Sequence, residues 1–370
     1  MTVLAKAMLG GRAYRWWLTA LAAAIVTGVL LWLRQWHQGL AVTGMSRDVA
    51  WGLYIGQFTF FVGVAASAVT VVLPYYLHAW RAFARVVILG ELLAIASIVV
   101  SLLFVLVDMG RPDRLLNVLL HPSPSSLMFW DMLALAGYLA LNVIVARAAL
   151  AAEIDGAPPA TWTRGLVLLS IPWAVSIHTV TAFLYAGLAG RPFWLTAAMA
   201  PRFLASAFAA GPALLILLCG AFRYDIGEEA LCKLRLVMTY AMTANVFLAL
   251  MEVFTAFYSG IPGHAAPYSS WTWLSGGFAA AALALALGRS RYAPAAVFAS
   301  LAIDKGVVLI PAGFIPSPSG AVTPYIPTAV ELGIVLAIWS VGALLVTILF
   351  RVAIAARELD AGASPQCLAS

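Results

Sequence analysis

The chain has 370 residues, of which 64% are hydrophobic and 10% charged, against about 25% charged in an ordinary soluble domain. With a mean hydropathy of +0.98 it lacks the polar surface that a soluble fold of this length needs, and 12% aromatic content excludes disorder. The pI of about 9.4 does not signal nucleic acid, because the 21 Lys and Arg are scattered between apolar segments and form no basic stripe.

A spanning helix needs about 20 mostly apolar residues. Ten runs qualify, at 16–33, 51–73, 86–107, 127–147, 165–188, 202–222, 234–258, 270–288, 292–313 and 329–350. They are continuous, without the alternation of a membrane barrel, so the predicted fold class is all-α integral membrane. Residues 16–350 form the ten-helix domain, with short segments 1–15 and 351–370 at its ends. Lys6, Arg12 and Arg15 precede the first run, but it exceeds a signal-peptide core of roughly 7–15 residues and reads as a retained helix. With the N-terminus inside, fourteen Lys and Arg fall on the inner segments. Six fall on the outer ones: Arg34, Arg47, Arg111, Arg114, Arg191 and Arg202. The asymmetry puts both termini in the cytoplasm of a multi-pass protein of the bacterial cytoplasmic (inner) membrane. Trp16, Trp17, Trp32, Trp36 and Trp51 lie at span ends, as interfacial anchors do.

Cys219, Cys232 and Cys367 form no Cys-x-x-Cys pair and are too few for an iron–sulfur cluster, which takes about four ligands. Of five histidines only His178 is deep in a span, so facing pairs for a membrane haem are missing. The expectation is a chain with no haem, cluster or other metal site. The outer loops 259–269 and 314–328 contain no Lys, Arg, Asp or Glu and are rich in Pro and aromatics. Such stiff, uncharged loops suit a docking surface.

Ionisable residues inside spans carry the functional signal, since each costs roughly 2.5–3.5 kcal/mol at mid-span on the insertion scale. They are Glu91, Asp131, His178, Glu252, Asp304, Lys305 and Glu331, with Asp108 and Arg111 at an outer helix end and Tyr54 and Gln57 in the outer half of the second span. All but Glu91 crowd the outer half. Asp131, Glu331 and Asp108 have a plain interfacial alternative. Adjacent Asp304 and Lys305 diverge by about 100° on a helix and call for partners on different helices. Glu252 has no cation within four residues, so it needs a cross-helix partner or a proton. Glu91, Ser97, Ser101 and Asp108, with Asn142, Tyr240 and Asn245 on other helices, outline a partial proton path across the membrane.

The segment Asp108-Met-Gly-Arg-Pro-Asp-Arg114, followed by His-Pro-Ser-Pro-Ser-Ser126 and Trp130, resembles a motif of the NrfD/PsrC family of polysulfide-reductase-type membrane subunits. So do Trp51-Gly-Leu-Tyr-Ile-Gly56, Ile177-His-Thr-Val-Thr-Ala-Phe-Leu-Tyr185 with Gly190-Arg-Pro-Phe-Trp194, Glu252-Val-Phe-Thr-Ala-Phe-Tyr258, and Asp304-Lys-Gly306 with Gly313-Phe-Ile-Pro316. In this order the segments are similar to the ten-helix branch containing DsrP and HmcC. The resemblance implies two four-helix bundles flanked by the first and last spans. It implies a quinone (menaquinone or ubiquinone) bound near the periplasmic face as an exchangeable substrate. It also implies a periplasmic iron–sulfur, ferredoxin-like partner, with cytochrome and cytoplasmic iron–sulfur subunits in systems of dissimilatory sulfur metabolism. The first core helix lacks the histidine of the shorter PsrC pattern, with Gln57 nearest. Quinol oxidation needs an apolar pocket, groups bonding two carbonyl oxygens and a base. The candidates are Glu252, His178 and Asp108 for catalysis, and Tyr54, Gln57, Arg111, Tyr185, Asp304 and Lys305 for binding. A structural anchor for redox subunits and a secondary transporter remain as alternatives.

Overall fold

The computed structural model describes residues 10–78, 80–155 and 160–363; Lys6 and Cys367 lie outside these. Among the described residues ten helices are long and apolar enough to cross a membrane: α1 Arg12–Gln38, α2 Leu53–His78, α3 Val87–Asp108, α4 Leu127–Ile154, α5 Thr161–Ala186, α6 Met199–Ala221, α7 Glu228–Tyr258, α8 Ser270–Leu287, α9 Ala293–Gly313 and α10 Ala329–Arg357. Each of the ten predicted runs lies on one of them. Several helices outrun their apolar stretch. The helical pattern of α7 begins at Glu228-Glu229, where acidic side chains suit the positive end of the helix dipole and Glu229 pairs with Lys233 one turn on, 2.5 Å away.

Helices α2–α5 pack on one another, as do α6–α9, and α1 pairs with α10 against α3 and α4. This is the two-bundle arrangement with flanking helices. The bundles meet where α2 and α5 touch α6. α2 is interrupted at Ser67-Ala68, between helical stretches Leu53–Ala66 and Val69–His78. A Cβ on Gly211 of α6 would fall 1.7 Å from the Ser67 Oγ, so only glycine lets α6 approach this break. α9 changes to a π-helical turn at Asp304–Val308, an irregularity frequent at functional sites. There α2 comes close enough that a Cβ on Gly56 would sit 2.4 Å from the Gly306 carbonyl oxygen.

The helix ends separate into two sets. At the terminal end, beside Arg12 and Arg357, the Arg357 guanidinium joins Glu153 (2.7 Å), the Ala84 and Arg85 carbonyls (2.8 and 2.6 Å) and the Tyr224 hydroxyl. At the opposite, distal end, Glu331 accepts from the amides of Gly44 and Thr328 (2.7 and 2.8 Å) and from the Tyr325 hydroxyl (2.6 Å). Glu331 and Asp131 are therefore buried and bonded, not interfacial. Trp51 is not a lipid anchor. It stands with its ring centroid 5.9–6.1 Å from those of Tyr185, Trp194 and Phe314, in an aromatic box that closes the distal seam between the bundles. Arg202, read from sequence as an outer-loop cation, lies inside α6 and is buried.

Candidate functional site

The largest concentration of charge lies between α5, α6, α7 and α9. The Arg202 Nη1 donates to Glu252 Oε2 at 2.5 Å, and its Nη2 donates to both oxygens of Asp304, at 3.1 and 2.9 Å. The side chains are 8%, 10% and 15% exposed, so three helices share one desolvated ion network. Ser275 of α8 adds a weaker contact to Asp304, 3.3 Å. The cross-helix partner that Glu252 requires is thus Arg202. Asp304 and Lys305 do diverge, but both address α6 and not separate helices. The π turn carries Asp304 to Arg202 and sets the Lys305 Nζ 3.4 Å from the centroid of the next residue's ring, Phe203. His178 of α5 faces the same residue, its Nε2 2.6 Å from the Phe203 carbonyl oxygen. A carbonyl only accepts, so Nε2 carries the proton and Nδ1 presents a lone pair.

Tyr268, from the loop after α7, lies near this network. Burial first, then the neighbouring Glu252 carboxylate, pushes its phenol up to about 12. Its ring packs on Phe193, Phe257 and Trp273 at 5.6–5.9 Å. Arg202 and Tyr268 are the two members that the sequence reading missed. The signal for Arg202 was available: two carboxylates buried in the outer half without local cations require one from elsewhere.

The other predicted residues separate from this group. The Tyr54 hydroxyl donates to Gln35 Oε1 (2.8 Å), and Gln35 Nε2 donates to the Val107 carbonyl (2.6 Å). Tyr325 reaches the same region, donating to Glu331 and accepting from the Leu53 amide at 2.8 Å. Burial and that bond to Glu331 hold its phenol well above the usual range, with Asp108 adding a further negative charge nearby. Gln57 has both ends occupied, accepting from Trp339 Nε1 and donating to the Gly306 carbonyl, each at 2.9 Å. Tyr185 bonds Thr59 at 2.6 Å. These contacts tie α2 to its neighbours. Arg111 is exposed, and among the described residues its side chain has no hydrogen-bond or ion-pair partner.

Four predicted site residues keep a buried polar atom with no hydrogen-bond partner among the described residues: Asp108 Oδ1, His178 Nδ1, Glu252 Oε1 and Lys305 Nζ. Three belong to the α5–α6–α7–α9 group. A buried polar atom costs about 1–3 kcal/mol when unsatisfied, so their coincidence at one place marks a position for a polar ligand. Helix α7 is the least buried of this group's helices. Met251, Phe254 and Phe257 beside Glu252 are exposed on the bundle's outer surface. The network is therefore one side chain deep from the hydrocarbon.

Comparisons with known proteins agree with this architecture. A protein of Halobacterium salinarum named as a membrane subunit of dimethyl sulfoxide reductase is 30% identical over 399 aligned positions, covering 90% of this chain and 89% of the relative. A protein of Mesobacillus selenatarsenatis named as a subunit of selenate reductase is 24% identical over 280, covering 66% and 65%. The Hdr-like menaquinol oxidoreductase integral membrane subunit of Archaeoglobus fulgidus is 24% identical over 199, covering 53% and 48%. The profile of the polysulphide reductase NrfD family matches residues 41–316, three quarters of the chain and both bundles, and this integral membrane protein belongs to that family.

Proposed function

We propose that this chain is the quinone-interacting membrane subunit of a multisubunit respiratory oxidoreductase, exchanging electrons between the membrane quinone pool and an iron–sulfur partner at its distal face. The observation that carries the reading is the set of unpartnered polar atoms beside the Arg202 network, one side chain deep from the lipid. A ring with two carbonyl oxygens needs a donor, an acceptor and a proton carrier. Lys305 Nζ supplies the donor to a quinone oxygen, and on quinol oxidation His178 Nδ1 and the free Glu252 Oε1 accept the two hydroxyl protons as the two electrons leave to the partner. Asp108 stands apart, near Tyr325 and Glu331, as a candidate proton exit. Tyr54, Gln57 and Tyr185 are bonded within the protein, and their part is to hold the bundles in register.

The relatives named as reductase and menaquinol oxidoreductase membrane subunits support the class of complex. Three cysteines are too few for a cluster, so the electrons pass to a partner. The distal face suits one, with Ile261, Val322 and Ile326 exposed on loops without Lys, Arg, Asp or Glu. The excess of Lys and Arg at the terminal end supports a cytoplasmic terminal end and a periplasmic distal face, and we assign the protein on this reading to the bacterial inner membrane. The motif order resembling DsrP supports dissimilatory sulfur metabolism, with cytochrome and cytoplasmic iron–sulfur subunits completing the assembly.

The test is labelling of the assembled complex in native membranes with a photoreactive azido-quinone, mapped by peptide mass spectrometry. Label on α6, α7 and the Asp304–Val308 turn, displaced by excess quinone, is the expected result. Displaceable label confined to other helices overturns the site, and absence of displaceable label favours a structural anchor.

A further inference from the structure

A second feature lies away from the charged network and takes no part in the proposed reaction. Toward the terminal end, a cavity of about 680 Å³ opens between α1, α2, α3, α6 and α10, with Phe298 of α9 reaching in. That volume falls within the roughly 300–1,000 Å³ of ligand pockets. Its walls are apolar and aromatic, including Trp17, Phe61, Phe298 and Trp339. Along α10 it runs from Arg351 to Trp339, twelve residues, or about 18 Å at about 1.5 Å per residue. One leaflet contributes about half of a hydrocarbon core roughly 30 Å thick. The cavity therefore matches one leaflet and ends near the bilayer centre, where Trp339 closes onto Gln57.

Its mouth has the opposite character. The Arg351 guanidinium lies over the Tyr14 ring, 4.0 Å from the centroid, and both residues line the cavity. The Tyr14 hydroxyl is buried with no hydrogen-bond partner. Arg12, Arg15 and Arg223 are exposed and lie within two residues of the lining residues Tyr14 and Phe222 in the sequence. An apolar slot one leaflet deep, with an arginine and an unsatisfied hydroxyl at its mouth, selects an amphiphile with one leaflet's length of hydrocarbon and an anionic head.

We propose that this cavity is a structural phospholipid site, holding one acyl chain of an anionic glycerophospholipid with its phosphate against Arg351 and the Tyr14 hydroxyl. The lipid fills the seam between the α1–α10 pair and the bundles from the terminal-end leaflet. In the orientation proposed above that is the cytoplasmic leaflet, where anionic lipid attracts basic residues.

The full chain is reconstituted in bilayer discs with phosphatidylglycerol or phosphatidylcholine, each carrying a diazirine on its acyl chain. Phosphatidylglycerol labels the peptides holding Trp17, Phe61 and Phe298 about fivefold more than phosphatidylcholine, the ratio that one cation's attraction supplies. Arg351→Gln removes that preference. Ala343→Trp, which fills the slot, removes labelling at Phe61 and Phe298. Native mass spectrometry of the unmutated chain retains one phosphatidylglycerol, a readout that does not depend on any variant folding. Equal labelling by both lipids, unchanged labelling in a folded Ala343→Trp chain, or retention of quinone in place of phospholipid overturns the assignment. An azido-quinone result at α6 and α7 is independent of all three.

Discussion

Glu252 and Asp304 both bind Arg202, yet they are not equivalent, and the difference predicts opposite phenotypes. Both Asp304 oxygens are taken by one Arg202 nitrogen, whereas Glu252 spends only Oε2 and leaves Oε1 unpartnered. In Glu252→Gln the amide oxygen still accepts from Arg202, so a charge-assisted bond becomes an ordinary one at a cost of about 1 kcal/mol. The proposed proton acceptor is lost, and such groups contribute about 10²–10⁴-fold to rate. We expect assembled complex at near-normal yield with quinol turnover down at least ~100-fold. In Asp304→Asn an amide NH₂ meets the Arg202 donors and the buried cation loses its two-oxygen partner. That costs about 3–5 kcal/mol, while turnover per assembled complex falls less than ~10-fold. The assay pairs quinol turnover, normalised to complex on native gels, with denaturant unfolding of the chain in bilayer discs. Wild-type turnover in Glu252→Gln would refute the reasoning, as would an Asp304→Asn chain of full stability that loses as much turnover per complex.

Arg202→Leu leaves two buried carboxylates without their cation and should lower stability by about 3–5 kcal/mol, seen as loss of chain from the membrane fraction. Lys305→Met removes an ammonium that has no hydrogen bond within the protein. Unfolding should be unchanged or improved while azido-quinone labelling weakens, and a strongly destabilised variant would show that Lys305 is structural. Because the Tyr325 phenol is held above its ordinary range, the folded chain keeps that proton after an unfolded chain, with a tyrosine near ~10, has released it. Its contribution is therefore complete below about pH 10 and lost as pH rises further. Tyr325→Phe should flatten the alkaline fall in stability, and an unaltered slope would contradict this. The purified chain should show no stoichiometric Soret band and no cluster iron.

The spans are readable because a run of apolar residues long enough to cross a bilayer has few alternatives. Arg202 escapes for the same reason. Pro201-Arg202 precedes an apolar run and reads as its polar border, but the helix begins at Met199 and carries Arg202 one turn inward. Asp304 and Lys305 are legible as costly residues, but not their geometry. The apolar pattern implies a regular helix where Asp304–Val308 form a π turn, whose extra residue per turn re-aims both side chains. Gln57, Tyr54 and Tyr185 stand out in sequence by the same criterion as Glu252, being polar and within a span. What separates them is the number of hydrogen bonds each makes. That depends on side chains distant in the chain, Trp339 and Gly306 for Gln57 and Thr59 for Tyr185, and no local pattern encodes it.

The same distinction bears on whether α3 carries protons across the membrane. Ser101 donates to the Ser97 carbonyl and Asn142 to the Tyr138 carbonyl, each at 2.8 Å and each one turn back on its own helix. Tyr240 is 67% exposed on the outer surface of α7, which removes it from the partial path outlined by the sequence. The unsatisfied atoms left on that path, among the described residues, are Glu91 Oε2 and Asn245 Oδ1, on helices of different bundles, and Asp108 Oδ1 at the distal end of α3. A relay needs donors and acceptors in alternation, and here the Ser101 hydroxyl and an Asn142 amide proton already serve the backbone. At the distal end the balance reverses, with His178, Glu252 and Lys305 each keeping an uncommitted atom around two adjacent residues, Arg202 and Phe203. In the proposed reaction, proton exchange therefore belongs to the distal half, beside the outward-facing helix α7. A quinone reacting there exchanges its protons with the face on which the proposed electron acceptor docks.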